Sequence, residues 1–129
     1  MPLTRVQTTA VTLVATAVLS AACAPTLPTR PPASSAGDPV AGLQALDDFG
    51  CASCHVIPGT SGAEAYVGPP LVAWAQRSYI AGTLANSQPN LERWISDPQS
   101  VRPGTAMPDL GVGPVDARDI AAYLFSIDP

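Results

Sequence analysis

Cys51-Ala52-Ser53-Cys54-His55 constrains this chain more than any other stretch. Two cysteines in a C-x-x-C pair, followed at once by histidine, form the pattern of c-type haem attachment. Each thiol can add to one vinyl group of a single porphyrin, giving two thioether bonds. The imidazole that follows is then carried beneath the ring, where it can ligate iron as the proximal ligand. Two other chemistries use paired cysteines. A zinc site needs four protein ligands, whereas the chain has 3 cysteines and 1 histidine in all. A thioredoxin-like redox pair sits in a βαβ setting, and no strand–helix–strand pattern surrounds residues 51–55. Haem attachment is the reading that remains.

With 129 residues there is room for one domain and its leader segments. A domain that small buries a modest core from its own side chains, and a covalently held porphyrin would supply much of the rest. All 6 basic residues are arginines and the formal charge is −4. No basic patch marks a nucleic-acid surface, and no partner of that kind is expected.

Residues 1–22 have the layout of an export signal. Arg5 is the only charge, and an apolar run from about Val11 to Ala22 ends in small residues. That run is short and threonine-rich for a membrane-spanning helix, although an uncleaved anchor is the competing reading. Leu19-Ser20-Ala21-Ala22-Cys23 resembles a bacterial lipoprotein cleavage box, with Cys23 as the lipidated first residue of the mature chain. The alternative is ordinary cleavage at a small-x-small site, leaving a soluble protein. Residues 23–37 are then the modified cysteine and a proline-rich linker. Such chain favours polyproline II, and fourteen residues reach about 40 Å, enough to stand a domain off a membrane surface. Loss of the signal would leave 5 basic against 10 acidic residues.

Residues 38–129 form the expected domain. Asp38-Pro39 has helix-start chemistry, an acidic cap followed by proline at the first helical position. A helix is expected to Gly50, with Leu43, Leu46 and Phe49 on one side and Gly42 free to admit another helix. Residues 56–67 read as an irregular loop. A backbone carbonyl of Gly68-Pro69-Pro70-Leu71 could accept a hydrogen bond from the His55 ring and fix its orientation. Trp74 to Asn86 is expected to be partly helical. Ser87 to Ser96 reads as a helix capped by Ser87, with Leu91, Trp94 and Ile95 on one face, ending at Asp97-Pro98. The last helix is expected to be capped by Asp116, with Val115 and Ile120 forming a hydrophobic staple and Asp119 at N3. Its stripe is Ile120, Tyr123, Leu124 and Ile127, and its expected partner is the first helix, crossing at Gly42.

Between these helices lies the extended loop from Arg102 to Pro108, which carries Met107. His55 is the only histidine, lysine is absent, and Met1 departs with a cleaved signal. A second strong side-chain ligand to haem iron is therefore Met107, unless the sixth position is open or a tyrosine serves. The other role for such a methionine is to fill a gap in a core.

Taken together these motifs resemble a class I cytochrome c over residues 38–128. The shared pattern is Cys51-x-x-Cys54-His55, Gly68-Pro69-x-Leu71 with Arg77 beyond it, Pro103-Gly104-Thr105-x-Met107, and the closing Ala121-Ala122-Tyr123-Leu124. More narrowly, Tyr79 to Leu84, Asn86, Asn90-Leu91 and Trp94-Ile95-x-Asp97-Pro98 are similar to the cytochrome c domains fused to subunit II of haem-copper oxidases. The resemblance implies an all-α cytochrome c fold of about four short helices around one covalent haem c. It implies that Cys51 and Cys54 hold the haem, that His55 and Met107 are its axial ligands, and that Pro69 offers its carbonyl to His55. Arg77 and Thr105 would meet the propionates, and Trp94 would lie against the ring. Leu46 departs from the pattern, standing where the first helix of the family often carries an aromatic residue.

The function so implied is one-electron transfer between respiratory redox proteins, towards a terminal oxidase, with no small-molecule substrate and no catalysis of its own. The chain would be exported to the periplasm or the outer face of the cell membrane and held there by the lipid on Cys23. The alternatives are a haem subunit within a dehydrogenase or oxidase complex, and a haem enzyme or sensor with an open sixth position.

Overall fold

Helix α1 starts where its cap chemistry requires. In the computed structural model, which describes residues 36–61 and 67–127, α1 runs over Pro39–Asp48. Asp38 Oδ1 accepts from the amides of Val40 at 2.9 Å and Ala41 at 3.3 Å. Two otherwise orphaned donors are thereby satisfied. The helix stops at Phe49, and Gly50 turns the chain with φ +66°, a conformation open to glycine without a Cβ clash. The export signal at 1–22, Cys23 and the linker up to residue 35 lie outside the described residues.

After the turn at Gly50 the backbone tightens into a single 3₁₀ turn, Cys51–Ser53. A second such turn covers Trp74–Gln76. The next stretch differs from the expectation of partial helix. Strands β1 (Tyr79–Ile80) and β2 (Leu84–Ala85) form an antiparallel pair with Tyr79 opposite Ala85 and Ile80 opposite Leu84. Ala81 and Gly82 both have positive φ, +51° and +74°, which reverses the chain as in a type I′ turn and is incompatible with a helix.

Helix α2 (Gln88–Ser96) buries Leu91 and Ile95 and keeps Trp94 half-buried. Ser87 occupies its N-cap position, yet its side chain makes no capping bond. The first turn is supported instead by Pro89 and by the Gln88 amide donating to Glu92 Oε1 at 3.2 Å. Asp97, held out of the α region by the proline after it, ends α2 and caps the one-turn helix α3 (Pro98–Val101).

Helix α4 (Pro114–Ser126) begins earlier than expected. Gly113 is its N-cap, Pro114 opens it, and Asp116 falls inside the first turn. Proline already has the φ of a first helical residue, and an acidic side chain is favourable anywhere in that turn. The staple is not made, because Val115 is exposed while Ile120 is buried. Asp119, expected to serve its own helix, is fully buried and its Oδ1 accepts from Asp38 N at 2.8 Å. A carboxylate from α4 therefore sits at the N-terminal end of α1, where the helix dipole favours negative charge.

The α1–α4 packing is the largest between helices, and α2 packs on α4 as well. Leu46, Leu91, Ile95, Ile120, Ala121 and Leu124 join from all three helices in one core. The expected all-α architecture and the expected α1–α4 pairing are what the structure has, with one two-residue strand pair added. Among the described residues no helix is long and apolar enough to cross a membrane.

Candidate functional site

Cys51, Cys54 and His55 are presented by the 3₁₀ turn, in which the amides of Cys54 and His55 both donate to Cys51 O, at 3.2 Å and 3.1 Å. Both cysteines are half-buried and unbonded to one another. Burial pushes the Cys51 thiol above the ordinary cysteine range. A backbone hydrogen bond works against this, and the neighbouring Cys54 and Asp47 add to it.

The His55 ring is oriented by Pro69. Its Nδ1 lies 2.7 Å from the Pro69 carbonyl oxygen. A carbonyl can only accept, so Nδ1 carries the proton and Nε2 keeps its lone pair for a metal. Two backbone bonds hold the Pro69 segment against the turn, Gly68 N to Cys54 O at 2.8 Å and Leu71 N to Val56 O at 2.7 Å. Gly68 was not singled out as a separate site residue, but its lack of a side chain is required. A Cβ there would come within 2.6 Å of His55 Nδ1 and 2.9 Å of Nε2.

Arg77 is tied to the same segment, since its Nη2 donates to the Pro70 carbonyl oxygen. Its guanidinium also lies 4.8 Å from the centre of the Trp74 ring, within cation–π range. Trp74 is only 5% exposed, and its indole Nε1 is buried with no acceptor among the described residues. Asn86 donates from Nδ2 to Trp74 O at 2.8 Å, while its buried Oδ1 is likewise unpartnered. Trp74 and Asn86 were missed from the sequence. Their signal, a buried polar atom lacking a mate, exists only once the chain is folded.

Met107 and Thr105 form a second group. Met107 is half-buried, and its amide lies 3.4 Å from Thr105 Oγ1. Gln99 of α3, also not singled out from the sequence, reaches this loop through both ends of its side-chain amide. Trp94 is half-buried on α2 and packs against the core. Cys23 lies outside the described residues.

These donors suit a porphyrin better than a bare ion. Among the described residues no three His, Cys, Asp or Glu side chains converge on a metal position. One nitrogen and one thioether are too few to cage a metal, and enough to complete an iron already held by four ring nitrogens. Buried Trp74 Nε1 costs free energy while unpaired, and a carboxylate of a bound group would relieve that cost. The residues fit a haem.

Comparison with known proteins agrees with this geometry. The sequence profile described as cytochrome c matches residues 40–128. Cytochrome c oxidase subunit 2 of Alkalihalophilus pseudofirmus is 38% identical over 87 residues, 67% of this chain and 25% of that protein. The proteins of the same name from Bacillus sp. strain PS3 and Bacillus subtilis are 36% and 32% identical, over 54% and 51% of this chain and 20% and 19% of their own lengths. The chain thus spans a quarter or less of the curated relatives it matches. A profile match over residues 40–128, on a helical domain carrying the attachment motif, decides the family. The chain belongs to the cytochrome c family, whose members bind haem c and carry electrons.

Proposed function

We propose that this domain binds a single haem c covalently and passes one electron at a time between respiratory proteins, towards a terminal oxidase. Cys51 and Cys54 would form the thioethers, and His55 and Met107 the two axial bonds. When bound, the haem supplies the ferric–ferrous couple. The chain's own residues do the rest. Pro69 fixes the tautomer and plane of His55, which raises the basicity of Nε2. Trp74 Nε1 and the Arg77 and Thr105 side chains are available to the propionates. With Met107 as the second ligand, the bound haem would have a raised potential and its iron would be shielded from small ligands.

The observation that carries this proposal is the His55–Pro69 hydrogen bond directly after two unbonded thiols. Partner contact is proposed through neutral residues around the haem edge, or with a basic partner. Val67 and Val72, 73% and 45% exposed, flank the segment that holds His55, and the chain has no lysine to offer an acidic surface. The names of the relatives favour an oxidase as electron acceptor, and they also favour a second reading, a haem subunit within such a complex. Co-purification from native membranes separates a subunit from a free carrier. Residues 1–22 are proposed to export the chain to the periplasm or the outer face of the cell membrane, and Cys23 to anchor it there by lipid. Mass spectrometry of the mature protein tests both the haem and the lipid, since each adds a defined mass.

A further inference from the structure

Gln99 makes three hydrogen bonds to the backbone of the methionine loop, and no other side chain among the described residues does as much there. Its Nε2 donates to Thr105 O at 3.0 Å and to Met107 O at 3.0 Å, while its Oε1 accepts from Gly104 N at 3.1 Å. Both hydrogens of the amide and its oxygen are therefore used on a four-residue span. Few side chains can do this, because the span needs two donors and one acceptor on a single planar group.

The platform that carries Gln99 is fixed. Asp97 Oδ1 accepts from Ser100 N at 3.0 Å and Ser100 Oγ donates to Asp97 O at 3.0 Å, closing the start of α3. Pro98, the residue before Gln99, is fully buried. Arg102 N returns to Pro98 O at 2.9 Å, and Arg102 Nη1 donates to Ala81 O in the hairpin turn at 3.1 Å. Besides Gln99, the loop is held by Thr105 N donating to Arg102 O at 3.1 Å and by the longer contact of Met107 N with Thr105 Oγ1 at 3.4 Å, both within the loop itself. Gly104 has φ +78°, with nothing within 4 Å of where a Cβ would be, and Thr105, Met107 and their neighbours are half-buried or exposed.

We infer that Gln99 is a positioning residue for Met107, a brace that sets how firmly the thioether stays in place and how readily an outside ligand displaces it. This rests on Met107 being an iron ligand, as proposed above. The bonds Gln99 makes to this loop all go to backbone atoms, not to the thioether. Gln99 acts by removing the backbone freedom of residues 104–107, so that the methionine pays less ordering entropy on binding. Without it the loop opens more often, and a competing ligand meets a weaker rival.

The test is an imidazole titration of the mature ferric holoprotein, followed through its visible spectrum, for wild type, Q99A, Q99E and M107A. Three exposed hydrogen bonds at the low end of their usual worth correspond to about tenfold in an equilibrium. Q99A should therefore bind imidazole about tenfold more tightly, with an unchanged far-ultraviolet circular dichroism spectrum. Q99E keeps the shape and the acceptor for Gly104 N but loses both donations and faces two carbonyls with a carboxylate. It should bind imidazole at least as tightly as Q99A. Imidazole affinities within twofold of wild type in both Gln99 variants would overturn the brace. M107A reports on the ligand assignment separately: if it keeps the sulfur–iron band at the red end of the spectrum, Met107 is not the ligand, whatever Gln99 does.

Discussion

Gly42 lies directly under the backbone of Asp119. A Cβ added at Gly42 would come within 2.5 Å of the Asp119 carbonyl carbon and 3.0 Å of Ile120 N. Both obstacles are helix backbone, so relief requires α1 and α4 to move apart. G42A should lower stability by about 3 kcal/mol, at the upper end for overpacking because no side chain can yield. Chemical denaturation should show a lower midpoint with an unchanged slope. A variant as stable as wild type would mean the two helices do not meet as described.

Gly68 makes the same kind of contact with a ring instead of a helix. In G68A the methyl group would displace the His55 imidazole and pull Nδ1 from Pro69 O. A ligand with a weaker second bond is less basic, so the reduction potential should rise and the protein should lose about 1–3 kcal/mol of stability. Redox titration and thermal melting check the two effects. An unchanged potential would show that the Pro69 bond does not tune the site.

Much of this arrangement was legible before folding. The Asp38-Pro39 start, the attachment motif, the segment around Pro69 and the Arg102–Pro108 loop all rest on local chemistry, which is written in neighbouring residues. Three features were not. The β1–β2 pair has two residues per strand, too few for an alternating pattern to appear, and its turn places Ala81, a good helix former, at positive φ. The Val115–Ile120 spacing pointed to a later start of α4 than the one found, because Pro114 already has the φ of a first helical residue and opens the helix. Gln99 and Asn86 bond to backbone atoms, which every residue has, so nothing in their identity pointed to their partners.

Tyr123 gives a pH prediction. Its hydroxyl donates to Pro58 O, and its pKa is raised, first by partial burial and then by nearby Asp47. Folding therefore favours the neutral phenol. That contribution is whole below the ordinary tyrosine pKa of about 10 and fades as pH climbs through the higher folded value. Absorbance titration should show a late tyrosinate phase that Y123F removes. Y123F should also cost about 1 kcal/mol at neutral pH through the lost hydrogen bond, and its stability should fall less steeply in alkali than that of wild type.

Capping at Asp38 should be separable from the site. D38A removes the acceptor for Val40 N and Ala41 N and should cost about 1 kcal/mol, with the visible spectrum unchanged. A spectral change would show that the start of α1 and the cysteine turn at its far end are coupled.

Charge should govern which redox partner reacts fastest. With a formal charge of −4 and no lysine, electron exchange at low salt should be accelerated by a basic partner and slowed by an acidic one, both effects fading as salt is added. Stopped-flow kinetics with one partner of each sign decides this, and acceleration by the acidic partner alone would contradict it.

The visible spectrum of the purified, fully matured ferric protein tests the iron ligation most directly. Ligation by His55 and Met107 predicts a low-spin spectrum with a weak sulfur–iron band at the red end, lost in M107A. A colourless protein, or a high-spin spectrum that M107A leaves unaltered, would contradict it.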